Sequence, residues 1–351
     1  TFVIIIILFK IMILNNKFYI NNLKSVVIFG GTPNYKDLIE INNKFGLKTI
    51  LVTSSVQKKS FYKNINKNLK LLICDKIDEN FKKKISDACK IEDTLFLVVS
   101  AMNIFSKNEI VFFKENMVNF FPSRLPYDAG RGGFSWHIMR SDKIYNQVMH
   151  VLDEGINTGP IILEDKKIFP NSCNTPLDHE LFKLKEMNIF YEKFIRKIQK
   201  KENFLLKFQS NNIGRYNPSL NSLKDGFINW DMSSFHLYNF IRAFDEPHIG
   251  AATFLNDSKF GKIFFKSVHL HGGEASSSHP YLSGVVSRHD GKWIVVNTSD
   301  NLTLLVEKIL NSKGENILKF IETGQRFFTP TKYLELSKSK NTIYTTKGTK
   351  K

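Results

Sequence analysis

Cysteine is scarce: three residues (Cys74, Cys89 and Cys173) in a chain of 351, with no CxxC pair and no histidine cluster beside any of them. That excludes a disulfide scaffold and a structural zinc site, and it points to a reducing, cytoplasmic setting. Arginine is scarce too: eight residues, widely dispersed, in a chain of formal net charge +17. The excess is lysine scattered among Asn, Ile and Phe, which reads as a generally basic surface rather than a built nucleic-acid patch; anions are still favoured by it. No GxGxxG and no Walker lysine motif follows the first strand-like run, so Gly30-Gly31 reads as a tight turn. No internal repeat is found. The apolar run at residues 1–14 is interrupted by Lys10 and is shorter than the roughly 20 residues of a spanning helix. It carries neither a basic leader nor a small-residue cleavage site. Residues 1–24 are therefore expected to form an N-terminal extension outside the fold, and no stable membrane association is expected.

With 42% apolar residues, the chain has material for two cores. From Lys24 onward, short apolar runs alternate with polar helical stretches. Strands are expected at Ser25–Phe29, Lys48–Val52, Lys70–Cys74 and Leu95–Ser100, with a helix running to about Phe45 after the first. That alternation implies a Rossmann-like α/β unit, a parallel sheet with helices on both faces. A helix is expected around Trp136, and two further helices at Leu177–Asn188 and Phe190–Lys201. A turn-rich stretch follows at Asn211–Gly226, and residues 206–226 read as a linker. Beyond it come a helix at Phe235–Phe244 and short alternating runs at Lys262–Val268, Gly284–Ser287, Trp293–Asn297 and Leu302–Glu307. These imply a smaller β-rich, OB-like barrel over residues 227–337. Residues 338–351 read as a disordered basic tail.

Function concentrates between Asn119 and Pro160, where two polar loops each follow an apolar run, as a small-molecule site at a sheet edge requires. The segment VNFFPSRLP resembles an Asn-x-His-Pro-Ser-x-Leu-Pro loop, and DEGINTGPI resembles an Asp-Glu-Gly-Ile-Asp-Thr-Gly-Pro-Ile loop. With the IFGGTP turn, the MNIFS segment at Met102 and the stretch from Arg215 to Ala251, they make residues 25–205 and their continuation similar to the 10-formyltetrahydrofolate-dependent formyltransferases. Methionyl-tRNA and sugar N-formyltransferases belong to that family. The resemblance implies formyl transfer from 10-formyltetrahydrofolate, as co-substrate, to an amine on methionyl-tRNA or on an aminosugar nucleotide. It implies no metal.

Carried over residue by residue, the family's Asn is Asn119, but its His position holds Phe121 and its Asp position holds Asn157. Phe121 can neither donate to an oxyanion nor take a proton, and Asn157 is no carboxylate base. Two readings follow: an active enzyme with a rearranged triad, or a formyltransferase-fold binding or regulatory protein with impaired catalysis. For the first, His150 or His137 could stand in, each with an ordinary packing role as its alternative. By resemblance, Met102, Phe105 and Ile110 line the pterin pocket, and the backbone from Leu152 to Asn157, including Asp153 and Gly155, bonds the pterin ring. Ser123, Leu125 and Arg124 belong to the loop facing the formyl group, where Arg124 and Arg131 have an acceptor-phosphate reading beside a solvated one. Trp136 is expected in the core, and Arg242 at the domain junction.

Overall fold

A computed structural model describes residues 16–61, 69–100, 105–113, 116–131, 133–210, 213–256, 260–273, 278–339, 343–345 and 348–350. The chain begins with β1 (Lys17–Phe18), β2 (Ser25–Gly30), α1 (Tyr35–Lys44), β3 (Lys48–Thr53), α2 (Ser55–Phe61), β4 (Lys70–Ile73) and α3 (Glu79–Ala88). Next come β5 (Thr94–Val99), α4 (Lys107–Phe112), β6 (Met117–Phe121), β7 (Asp128–Gly130), α5 (Gly133–Met139), β8 (Ile144–Val151), β9 (Ile161–Ile168) and α6 (Pro176–Gln199). Seven strands form one sheet in the order β4-β3-β2-β5-β6-β8-β9. The first five are parallel, and β8 and β9 are antiparallel additions.

β2 and β5 are buried at every position. Their Val, Ile, Leu and Phe runs suit central strands covered on both faces. On one face, Val26, Ile28, Leu97 and Val118 pack against α1 and α6. On the other, Val27, Phe29, Phe96 and Met117 pack against α3 and α4.

Residues 16–24 differ from the expectation of an extension outside the fold: Phe18, Ile20 and Leu23 are buried in the α6-side core, and β1 pairs with β10 (Phe204–Leu205). Apolar side chains spaced this way stay with the core whenever they can remove surface from water. The expected pair of helices after Asp165 is one helix, α6. Thr175 and Asp178 form a capping box with Pro176 at the first turn. The stripe Met187, Phe190, Tyr191 and Phe194 then runs unbroken past Asn188, which bonds Asn34 and Asp37 from α1's side instead of ending the helix.

The second unit contains β11 (Arg215–Asn217), α7 (Ser222–Asp225), α8 (Ser234–Ala243), β12 (Ala251–Leu255), β13 (Lys262–His271), β14 (Val286–His289), β15 (Ile294–Asn297), β16 (Thr303–Leu310), β17 (Phe327–Phe328) and α9 (Thr331–Lys338). Its sheet order is β14-β15-β16-β13-β12-β17. Backbone bonds from Val286 to Gln325 (2.9 Å) and from Phe327 to Gly284 (2.8 Å) join its two edges, so the sheet curls into a barrel. Where a disordered tail was expected, β18 (Ile343–Thr345) and β19 (Gly348–Lys350) form an antiparallel hairpin.

The two units meet at α5 and α8. Ser135 Oγ donates to Ala243 O (2.8 Å), Asn239 Nδ2 to Ser141 Oγ (2.8 Å), and Arg242 Nε to Asn174 O (3.0 Å). Arg242 thus sits at the junction, as expected. Trp136 is half-buried rather than core, because its indole N–H reaches Pro218 O at 3.0 Å. Among the described residues, no helix is long and apolar enough to cross a membrane.

Candidate active site

Strand direction assembles the site. β6 runs parallel to β5, but β8 returns antiparallel beside β6, and the register places Asn119 opposite His150 and Phe121 opposite Val148. Alternation sends Met117, Asn119 and Phe121 to one face of the sheet. His150 therefore lies across from Asn119, with its Nε2 2.9 Å from Asn119 Nδ2. Its other nitrogen, Nδ1, is 2.8 Å from Val151 O. A carbonyl can only accept, so Nδ1 carries the proton and Nε2 presents a lone pair to the Asn119 amide. His150 is 1% exposed. Burial drives its pKa down to about 4, and its bonds to Val151 O and Asn157 recover only part of the drop, so the ring is neutral at pH 7.

Asn157 completes the group: its Oδ1 accepts from Asn119 Nδ2 at 3.4 Å. It takes a left-handed backbone (φ 61°), which Asn tolerates better than most side chains. The loop around it is closed by Asp153, whose Oδ1 accepts from Gly155 N (3.1 Å) and from Thr158 Oγ1 (2.7 Å). Burial raises the Asp153 pKa, and those two bonds oppose the rise. Gly159 is required by packing, since a Cβ there would lie 1.9 Å from Val151 O. Leu152 N donates to Met117 O (3.0 Å), which fixes the loop to β6.

The sequence-derived candidates fall into groups. Asn119, His150 and Asn157 come together. Phe121 lies on the same face but packs with Leu125, Val148, Ile161 and Tyr216, forming an apolar wall beside the polar trio. Phe105 and Ile110 are buried in the cluster that Leu152 also touches, and Phe105 meets Phe29 edge-on at 5.6 Å. Met102 lies outside the described residues. Ser123 is buried, and its hydroxyl has no hydrogen-bond partner among the described residues.

His137 does not approach Asn119. It is buried near Asp142 (Nδ1 3.8 Å away). Arg124 differs from the phosphate-clamp reading. Its guanidinium bonds Asp128 (3.1 Å) and Asp142 (3.5 Å), while Arg140 and Arg215 also reach Asp128, each at 3.2 Å. Burial alone would raise the Asp128 pKa, but the three guanidiniums outweigh it and hold the carboxyl below its ordinary range. Asp128, His137 and Asp142 are close enough together to form a cation site. Three guanidiniums on the same carboxylates already supply the positive charge a dication would bring. Arg131 is exposed, and its backbone N–H is held by Asn217 O at 2.9 Å.

Sequence reasoning placed the linker but missed its pairing beside the site. β11 pairs in parallel with β7, and Gly130 (φ 101°) admits this because a Cβ would lie 2.3 Å from Asn217 O. Tyr216 is thereby brought against Phe121's cluster, where burial, then the Asp153 charge, raises its pKa. Only the family-like continuation RYNPSL marked this stretch in the sequence.

Fold and site together define a two-domain α/β scaffold whose strands β6 and β8 hold an amide–imidazole pair beside the Asp153–Gly159 loop. Residues 222–323 match the family model for the formyl transferase C-terminal domain. The methionyl-tRNA formyltransferase of Thermodesulfovibrio yellowstonii is 27% identical over 314 residues, covering 84% of this chain and 94% of that protein. The cytosolic 10-formyltetrahydrofolate dehydrogenase of Xenopus tropicalis is 28% identical over 169 residues, 48% of this chain and 18% of that protein. Among solved structures, the Helicobacter canadensis N-formyltransferase in complex with folinic acid and dTDP-3-aminofucose shares the fold. Its TM-score is 0.59 at 16% identity, over 81% of this chain and 99% of that one. The chain is thus similar to methionyl-tRNA formyltransferases over most of its length, and residues 222–323 match the formyl transferase C-terminal domain.

Proposed function

We propose that this chain transfers the formyl group of 10-formyltetrahydrofolate to a primary amine, with Asn119 and His150 at the reaction centre. The observation that carries the reading is the 2.9 Å contact between Asn119 Nδ2 and the unprotonated Nε2 of His150. The amine nitrogen attacks the formyl carbon, and the carbonyl electrons move onto oxygen. Asn119 Nδ2 turns the N–H it gives to His150 Nε2 toward that oxyanion, which breaks that bond and frees the Nε2 lone pair; a donor of this kind is worth on the order of 10²–10³ in rate. Nε2 of His150 takes the proton lost by the amine. The oxyanion then collapses, the bond from carbon to the folate N10 breaks, and the proton passes from His150 to N10. A ring with a pKa of about 4 is a weak base, but once protonated it is a strong acid toward the leaving nitrogen. Asn157 Oδ1 orients Asn119 in place of a carboxylate. Phe121 serves as an apolar wall that keeps water from the formyl carbon.

We place the co-substrate beside the Asp153–Gly159 loop, near the side chains of Phe105, Ile110 and Leu152, with Ser123, Leu125, Asp153 and Gly155 at the margin. Methionyl-tRNA is the acceptor we favour. Two features support it: the relatives matched over nearly their whole length are methionyl-tRNA formyltransferases, and the net charge of +17 favours a polyanion. The test is a single-turnover assay with radiolabelled 10-formyltetrahydrofolate, offered methionyl-tRNA and dTDP-3-aminofucose in parallel. Transfer to methionyl-tRNA that weakens steeply with salt is expected. Transfer to the sugar alone would overturn the acceptor assignment, and transfer to neither would overturn the reaction.

A further inference from the structure

The loop that carries Asn157 has few bonds of its own. Gly155 N and Thr158 Oγ1 share Asp153 Oδ1, and the carbonyls of Asn157 and Gly159 take no part in those two bonds. Both carbonyls are met by one side chain from outside, Gln209, whose Nε2 donates to Asn157 O at 3.0 Å and to Gly159 O at 2.6 Å. Two carbonyl acceptors require the nitrogen end of the amide, so both of its hydrogens are spent on the loop. Gln209 is itself held in place. Two residues earlier, Lys207 and Ile161 exchange both backbone bonds, each at 2.9 Å, which anchors the start of the linker to β9.

We propose that Gln209 is a positioning residue for the site: from the linker it clamps the 157–159 backbone and so fixes the direction in which Asn157 meets Asn119. The inference rests on the reading of this loop as the folate-holding element. The chain of contacts is short and polar throughout: Gln209 to Asn157 O, Asn157 Oδ1 to Asn119 Nδ2, and Asn119 Nδ2 to His150 Nε2. Without the clamp, Asn157 keeps only its side-chain bonds to Asn119 and His150, its left-handed backbone loses the bond at its carbonyl, and the loop samples other arrangements. Because the linker also pairs with β7 through Arg215–Asn217, one segment ties together the two loops that flank the reaction centre.

The test uses the full chain with Gln209→Ala and Gln209→Glu. Binding of 5-formyltetrahydrofolate, which does not transfer its formyl group, is measured by calorimetry from pH 5 to pH 8. Amide hydrogen exchange across residues 151–160 is measured without ligand. Gln209→Ala is expected to bind about tenfold to a hundredfold more weakly and to exchange faster in this loop, with its melting temperature nearly unchanged. A carboxyl donates a hydrogen bond only when protonated. Gln209→Glu is therefore expected to bind weakly at pH 8 and to recover part of the loss relative to wild type as pH falls. Unchanged loop exchange in Gln209→Ala, or a Glu variant whose deficit does not vary with pH, would overturn the clamp. Failure of the wild type itself to bind the folate, with faster loop exchange in the variant, would overturn the folate reading and leave the clamp standing.

Discussion

Replacing His150 separates chemistry from packing. The imidazole is fully buried; its Nε2 accepts from Asn119 Nδ2, and its Nδ1 donates to Val151 O. Removing it as Ala strands both partners, each at about 1–3 kcal/mol, so His150→Ala is expected to lose roughly 2–6 kcal/mol of stability and reports little about catalysis. His150→Gln is the informative change. Its amide oxygen can accept from Asn119 and its volume nearly fills the site, so the stability loss should stay near 1–2 kcal/mol. It cannot carry a proton from the amine to N10. The single-turnover rate of formyl transfer should therefore fall by about 10²–10⁴ while 5-formyltetrahydrofolate still binds. A Gln variant that is folded, binds folate and turns over at the wild-type rate would refute the assignment of proton transfer to this ring.

Three further outcomes follow from the same geometry. Burial holds both His150 and His179 at a pKa of about 4, below their unfolded value, so each contributes stability that is fully present above about pH 6.5 and lost as pH falls toward 4. The depression is worth roughly 3 kcal/mol at each ring, and urea midpoints that stay constant from pH 7 to pH 4 would contradict it. Asn157→Asp places a carboxylate beside His150 and should lift that ring's titration toward the ordinary histidine range, as followed by NMR of its Cε1 proton; an unmoved titration would mean that residue 157 does not sense the ring. Gly159→Ala puts a methyl group 1.9 Å from Val151 O, where only backbone can give way. Folate affinity should drop at least tenfold with the loop displaced, and a wild-type dissociation constant would show that the loop does not hold the ligand.

Much of the architecture was legible because burial leaves a mark on composition. The β-branched and aromatic runs at Ser25–Gly30 and Thr94–Val99 could hardly be anything but central strands. Boundaries that depend on partners far along the chain were not legible. Asn188 looks like a helix stop until Asp37 and Asn34 are seen across from it, and Phe18, Ile20 and Leu23 look like a continuation of the apolar terminus until α6 covers them. At the site, the residues Asn119, Phe121, Asn157 and His150 could be singled out from the paired loops. Their relation could not, because only the antiparallel return of β8 beside β6 sets His150 rather than His137 beside Asn119. Arg124 read as a free cation because Asp128 and Asp142 meet it only after the loop folds back. Gln209 carried no local signal at all: its partners are backbone carbonyls some fifty residues away.

The most direct measurement is single-turnover formyl transfer from 10-formyltetrahydrofolate to methionyl-tRNA by the wild-type chain beside Asn119→Ala. Transfer by the wild type well above the protein-free rate, falling by about 10²–10³ in the variant, is the expected result. Equal rates in the two proteins, with folate bound to both, would contradict the placement of the reaction at Asn119 and His150.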